Sequence, residues 1–191
     1  MDLAPFASVD RSSLGWRRTS ERPLGFTLVS GDRPVAVLRW PSAGTGGVEV
    51  ETADGRWTLA RKGFLAPRVT LKAAGSATPL AQLAGHLHRH LVTTADGATY
   101  WLQRAGMLIP AWTLSEGTGG EVAHVEPVPE GRRLSAGAVV VAKGRDGTAN
   151  LLALLVLAWY FVTLVWFEDE TVEALAPFEG PDAPVGLGNS A

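Results

Sequence analysis

One stretch of the chain is apolar without interruption. Residues 151–167 read LLALLVLAWYFVTLVWF and contain no charged residue, no Gly and no Pro. Leu and Ala favour helix, so we predict a helix over about residues 149–170. A helix that is apolar on every side must be surrounded by protein or by lipid. If protein surrounds it, the residues expected to form its core contacts are Leu151, Leu155, Trp159, Val162 and Trp166.

The chain before this helix has a different pattern, in which short apolar runs alternate with turns. Residues 48–52 alternate Val and Thr with Glu, which is the period of a half-buried strand. Asp54-Gly55 then precedes another such run, and this arrangement predicts a hairpin. About eleven or twelve short strands are expected in all. The runs are residues 26–29, 35–40, 48–52, 57–62, 68–73, 80–83, 87–94, 99–104, 112–115, 122–125 and 136–142.

An internal repeat runs through these strands. The turn Thr52-Ala53-Asp54-Gly55 recurs 42 residues later as Thr94-Ala95-Asp96-Gly97. Seven further residues recur 43 residues later, so one residue was inserted after the turn. We interpret the repeat as three units of about four strands each, with the first and last degenerate. The seven are Leu59, Arg61, Gly63, Leu65, Pro67, Thr70 and Leu71, matched by Leu102, Arg104, Gly106, Leu108, Pro110, Thr113 and Leu114.

The strand count and the apolar helix explain each other. A sheet of twelve strands is expected to curl and close, because closure removes its exposed edges. Twelve strands leave a hole too wide for side chains alone, and a helix about 10–12 Å across fills it. We therefore predict a mainly β fold, a barrel of about 12 antiparallel strands enclosing one central hydrophobic C-terminal helix. The barrel domain is expected over residues 23–176, with a loosely ordered lead-in over 1–22 and a flexible tail over 177–191.

The order and pattern of these elements resemble a known superfamily. The strand pattern Val35-Ala36-Val37-Leu38 recurs as Leu80-Ala81-Gln82-Leu83, Gly-ended hairpins such as Asp54-Gly55 precede strands, and one apolar helix follows them all. Over about residues 23–170 the chain resembles the tubby C-terminal-like superfamily, which includes LURP-one-related proteins and phospholipid scramblases. The resemblance implies a twelve-stranded barrel around a central helix, and phosphoinositide or other lipid-associated binding. No tubby phosphoinositide motif maps onto this chain residue by residue, so the resemblance implies no site residue.

Composition excludes several classes of function. The net charge of −2 gives no overall basic excess of the kind that points to nucleic acid. Cysteine is absent, which excludes disulfides, thiolate metal sites and Cys nucleophiles. No Ser lies in a G-x-S-x-G elbow, and Gly44–Gly47 lack the Lys and helix of a phosphate-binding loop. We expect a non-enzymatic protein without a cofactor, in the cytoplasm, with membrane association as an open alternative.

Basic residues supply the candidate binding site. Arg61, Lys62, Arg68 and Lys72, with Arg104 as the repeat partner of Arg61, are expected to form a patch for anionic lipid headgroups or phosphate. The alternative is an ordinary charged outer face, in which Arg61 and Arg104 recur only through duplication. The chain is therefore expected to be a binding or scaffold module whose partner is anionic phospholipid or another protein. Its oligomeric state is not indicated.

A histidine cluster is the candidate for metal binding. His86, His88 and His90 alternate along the chain and would share one face of a strand, with His124 as a fourth candidate. Imidazoles on one face suit Zn²⁺ or Ni²⁺. Neighbours on the same face lie ~6.6–7 Å apart, however, so three cannot converge on one ion without a bulge. We expect a solvent-facing strand without metal, and any metal contact to use a pair.

The apolar stretch also permits a second interpretation, a single C-terminal membrane span over residues 151–167. Seventeen residues are the lower limit for crossing a bilayer. Lys143 and Arg145 precede the stretch and residues 168–170 are acidic, which would place the N-terminus inside. Trp159 and Trp166 are not confined to two interfacial belts, which favours the barrel interpretation.

Overall fold

Twelve strands follow one another along the chain before one long helix in the computed structural model. The structure describes residues 2–41, 47–63, 68–86, 89–105 and 111–175, with backbone alone at His86 and 168–175. Two 3-10 turns, Phe6–Ser8 and Arg11–Ser13, precede the first strand. The elements are β1 (Leu14–Glu21), β2 (Leu24–Ser30), β3 (Arg33–Arg39), β4 (Val48–Thr52), β5 (Gly55–Lys62), β6 (Arg68–Ala73), β7 (Pro79–His86), β8 (Arg89–Thr94), β9 (Thr99–Ala105), β10 (Ala111–Glu116), β11 (Glu121–Glu130), β12 (Arg133–Val141) and α1 (Leu151–Leu175).

The strands close into a barrel. Each pairs antiparallel with the strands before and after it in the chain, and β1 pairs with β12 to complete the ring. The closing seam is short, since β1 and β12 are in register over only three residue pairs, Gly15–Ala138, Trp16–Gly137 and Arg17–Ala136. The predicted antiparallel barrel of about twelve strands is confirmed.

Helix α1 runs through the barrel, as predicted. Its residues 151–163 are all buried, which is where a helix that is apolar on every side must lie. Trp159 is at the centre of the packing. Its ring stacks on Trp16 at a centroid distance of 5.6 Å and meets the Phe26 ring edge-on at 5.3 Å. Gly137 of β12 makes room for it, because a Cβ at this position would overlap the Trp159 ring.

The expected loosely ordered lead-in over residues 1–22 was wrong. Residues 14–21 form the first barrel strand, and Leu14 and Trp16 point into the core, 5% and 1% exposed. The preceding residues also hold a defined position, since the amide of Ala4 donates to the carbonyl of Pro34 at 2.8 Å and Val9 is buried. The predicted tail over 177–191 lies outside the described residues.

The repeat extends to the first strand and gives the barrel three equivalent sectors. Strands β1, β5 and β9 carry the same inward pattern, a large apolar residue, another two residues later, and then Arg. These strands are four apart in a ring of twelve, so equivalent residues lie one third of the circumference apart. The matched residues, spaced by 43, are Leu14, Trp16 and Arg18; Trp57, Leu59 and Arg61; and Tyr100, Leu102 and Arg104.

The two ends of the barrel are distinguished by the helix. At the helix-start mouth, where α1 begins at Leu151, Asn150 contacts Asp96 in the β8–β9 turn, with 3.4 Å between Nδ2 and Oδ2. At the helix-exit mouth, Trp166 Nε1 donates to the carbonyl of Arg132 in the β11–β12 turn at 3.2 Å. Because successive antiparallel strands alternate in direction, the C-terminal ends of β5 and β9 also lie at the helix-exit mouth.

Candidate anion-binding site

Positive charge is concentrated on five consecutive strands. The sequence of β5–β9 contains no Asp and no Glu, whereas the whole chain has a net charge of −2. We call these five strands the basic wall. The other strands carry the acidic residues, so the barrel is electrostatically polarised. The cations of the basic wall are Arg56, Arg61, Lys62, Arg68, Lys72, Arg89 and Arg104, and the acidic residues of the other strands are Glu21, Glu49, Glu51, Glu116, Glu121, Glu126 and Glu130.

The five predicted patch residues do not form one patch. Lys62, Arg68 and Lys72 have their side chains on the outer face, while Arg61 and Arg104 alternate with buried residues and belong to the inner face. Lys62 and Arg68 are exposed and directly opposite each other in the β5–β6 ladder. Like charges in this position repel and destabilise a sheet, and an anion between them would relieve the repulsion.

An aromatic residue lies beside the outer cations. The guanidinium of Arg89 is 3.8 Å from the centre of the Trp101 ring, close enough for a cation–π interaction. Trp101 is half-buried on the outer face, opposite Leu91. Arg89 was missed in the sequence because it lies within the histidine run. The signal that identifies it is the scarcity of acidic residues between Asp54 and Glu116.

Three arginines surround α1 on the inner face at the helix-exit mouth. Arg18, Arg61 and Arg104 occupy the equivalent repeat positions and are half-buried, and we call them the arginine collar. Nε of Arg18 and Nε of Arg104 are buried and have no hydrogen-bond partner among the described residues. A buried donor without a partner costs about 1–3 kcal/mol. Arg18 was missed because its strand was assigned to the lead-in, although its repeat pattern identifies it.

The predicted histidine cluster is divided by a hairpin. His86 is the last residue of β7 and His90 lies in β8, in register with Gly85. His90 is 2% exposed, and its ring lies 4.2 Å from that of Phe161. The expected solvent-facing position is wrong for His90, and His88 lies outside the described residues. Within the described part of the chain, no three potential ligands are grouped to hold a metal ion.

His124, the fourth metal candidate, lies away from these residues on β11. It is half-buried, and its Nδ1 is 3.3 Å from the hydroxyl of Thr113. This contact occupies one ring nitrogen, and Thr113 lies directly opposite in the β10–β11 ladder. The position of His124 is accounted for by this cross-strand contact.

The helix-start mouth has a small pocket and paired polar groups. The pocket is about 290 Å³ and is lined by Phe6, Arg11, Trp57 and the first turn of α1. Nearby, Arg145 and Glu116 form an ion pair at 2.6 Å.

Two titratable groups near the helix-start mouth have shifted pKa values. The hydroxyl of Thr94 donates to Asp96 at 2.5 Å, and this bond, with another from the amide of Ala98, lowers the pKa of Asp96. Burial, and secondarily the charges of Asp96 and Glu116, raise the pKa of Tyr100. These contacts are satisfied within the protein and indicate a structural role.

The residues expected to hold the helix in the core occupy different depths. Leu151, Leu155, Trp159 and Val162 are buried. Trp166 is half-buried at the helix-exit mouth. Within the part of the chain that the structure describes, no helix combines the length and the apolar character needed to cross a bilayer.

Comparison with known proteins adds no family to these observations. No family model matches the chain, and no curated protein or solved structure matches it either. The function therefore has to be argued from the charges and contacts of the barrel itself.

Proposed function

We propose that this chain is a non-enzymatic binding module of the tubby-like type, which docks on anionic lipid headgroups through the outer face of its basic wall. The observation that carries the proposal is the absence of acidic residues from the sequence of β5–β9, five adjacent strands of one barrel. A surface whose strands carry cations and no acidic residue attracts an anionic surface, and the acidic strands orient the molecule by being repelled.

The outer residues of the basic wall suit a lipid surface. Lys62, Arg68 and Arg89 are exposed, and each cation near an anionic membrane contributes about 1 kcal/mol. Trp101, held beside Arg89, is a residue type that favours the interface between lipid and water. These residues lie on the outer face of strands β5, β6, β8 and β9, within one side of the barrel.

Vesicle co-sedimentation tests the proposal. The wild-type protein is expected to sediment with phosphatidylcholine vesicles that contain phosphatidylserine, and not with phosphatidylcholine alone. Replacing Lys62 and Arg68 by Glu should weaken this binding at least tenfold, since about 1 kcal/mol is lost for each cation removed. Added salt should weaken binding of the wild type, because exposed charges are screened.

The matched control is the pair Arg33→Glu and Arg132→Glu. Both arginines are exposed and lie outside β5–β9, and their reversal changes the net charge by the same amount. This variant should keep most of the vesicle binding. Equal loss in both double variants, or equal binding to vesicles with and without phosphatidylserine, would overturn the proposal and leave a protein partner as the remaining expectation.

A further inference from the structure

The arginine collar is a second cationic site, separate from the outer face of the basic wall. Arg18, Arg61 and Arg104 are 43 residues apart in sequence and one third of the ring apart in the barrel. Each lies two residues beyond a buried core position, Trp16, Leu59 or Leu102, on the side of the helix-exit mouth.

The strand partners of these arginines are apolar. Arg18 lies opposite Phe26, Arg61 opposite Val69, and Arg104 opposite Trp112, and all three partners are buried. Residues 164–167 of α1, the last with described side chains, are uncharged, and the sequence is acidic at 168–170. Each arginine of the collar therefore has an apolar residue as its cross-strand neighbour.

The available guanidinium donors match one class of ligand. Nε–H and an Nη–H of one guanidinium form a fork that binds two oxygens of a phosphate at once. In Arg18 and Arg104 the Nε member of this fork has no hydrogen-bond partner among the described residues. We propose that the arginine collar binds phosphate groups at the helix-exit mouth, one at Arg18 and one at Arg104.

Arg18 also has a route to solvent. A cleft of about 430 Å³ borders it where β1 and β12 separate, and Thr19 and Ser135 line the same cleft. Glu21 in this cleft is already paired with Arg133 at 2.9 Å. Glu130 also borders the cleft, so the cleft as a whole is not strongly cationic. The feature that suits it to phosphate is the Nε donor of Arg18, which has no partner among the described residues.

The test is a thermal-shift titration of the full chain with inorganic phosphate, matched in ionic strength with sodium chloride. A saturable rise in Tm is expected, of about 5–10 °C for one site at a hundredfold excess over Kd. Phosphate also stabilises proteins by exclusion from their surface. That effect does not saturate and should be the same in every variant.

Variants separate binding from a structural role. Arg18→Gln with Arg104→Gln should abolish most of the saturable rise, and Arg104→Lys should weaken it, because Lys keeps the charge and loses the fork. The outer-face variant K62E/R68E should keep the saturable rise. A non-saturable rise alone in the wild type, or the same saturable rise in the double Gln variant, would overturn the proposal.

Competition between inorganic phosphate and vesicles identifies the source of the phosphate. It also separates binding at the collar from lipid docking on the outer face. If inorganic phosphate displaces the protein from vesicles that contain phosphatidic acid, a lipid phosphate reaches the collar. If the thermal shift persists without displacement, the collar takes a soluble phosphate. Both results support the collar. Loss of vesicle binding in K62E/R68E with the phosphate shift retained shows that the two sites are independent.

Discussion

The two mouths of the barrel differ in whether their polar groups have hydrogen-bond or ion-pair partners. At the helix-start mouth, Arg145 pairs with Glu116, and Asp96 accepts hydrogen bonds from Thr94 and Ala98. At the helix-exit mouth, Nε of Arg18 and Nε of Arg104 are buried and have no partner within the described part of the chain. The helix-exit mouth has the Glu21–Arg133 ion pair as well, but it also holds two buried cationic donors without a described partner.

This difference separates what stabilises the fold from what is left for a ligand. The paired groups at the helix-start mouth lower the free energy of the folded state even when no ligand is bound. The donors of Arg18 and Arg104 at the helix-exit mouth, which have no partner among the described residues, raise it, and an arginine occupies the equivalent position in all three repeat units. A destabilising feature found at both Arg18 and Arg104 is more easily explained by binding than by folding.

The largest expected effect comes from disrupting helix α1, which runs from one mouth to the other. Leu155 of α1 is fully buried between them. Leu155→Asp would place a charge in the apolar core without a partner, so we expect no cooperative thermal transition by circular dichroism.

The control at the same position is Leu155→Ala, which should fold and lose about 2–5 kcal/mol in the free energy of unfolding. A folded Leu155→Asp protein with the melting curve of the wild type would contradict the central position of the helix.

The second prediction concerns the packing of Gly137 against Trp159, which positions the helix midway between the mouths. Gly137→Ala places a Cβ against the ring of Trp159, and such overpacking costs about 1–3 kcal/mol. Trp159→Phe in the same chain should recover part of this loss, with a coupling of about 0.5–3 kcal/mol in a double-mutant cycle. Gly147→Ala, where no atom lies within 4 Å of the added Cβ, should leave stability unchanged or slightly raised.

Much of the fold was predictable because two strong patterns agreed. An uncharged run of seventeen residues must be enclosed, and about twelve strands form a ring wide enough to enclose it. The first strand was not predicted because β1 contains adjacent arginines, Ser and Thr, which resemble a loop in composition. Its inward residues, Leu14 and Trp16, keep the strand alternation, and the repeat with β5 and β9 would have revealed it.

The candidate site was predicted only in outline. Arg61 and Lys62 are adjacent, so within a strand they must face opposite sides of the sheet. One patch containing both was therefore excluded by geometry. The histidine prediction failed for a related reason, because the alternation from His86 to His90 passes through a hairpin and strand periodicity does not continue across a turn. Residue types were informative, whereas the face of the sheet depended on where each strand ended.

The third prediction compares one arginine from each mouth. Arg145→Gln removes a 2.6 Å ion pair whose side chains are 34% and 31% exposed, and it should cost about 0.5–1 kcal/mol by urea denaturation. Arg104→Gln should be neutral or slightly stabilising, since it removes a charged group with an unsatisfied donor. If Arg104→Gln is the more destabilising of the two, the contrast between the mouths is incorrect.

The smallest expected effect concerns acid stability at the helix-start mouth. Hydrogen bonds from Thr94 and Ala98 lower the pKa of Asp96 below its ordinary value of 3.8. A lowered pKa in the folded state adds stability that is complete above pH 3.8 and is lost as the pH falls through the folded value. The difference in Tm between the wild type and Asp96→Asn should therefore be largest near neutral pH and shrink in acid. Thr94→Ser, which keeps the hydroxyl donor, should retain the wild-type pH dependence, and a difference in Tm that stays constant into acid would show that the Thr94–Asp96 contact adds no pH-dependent stability.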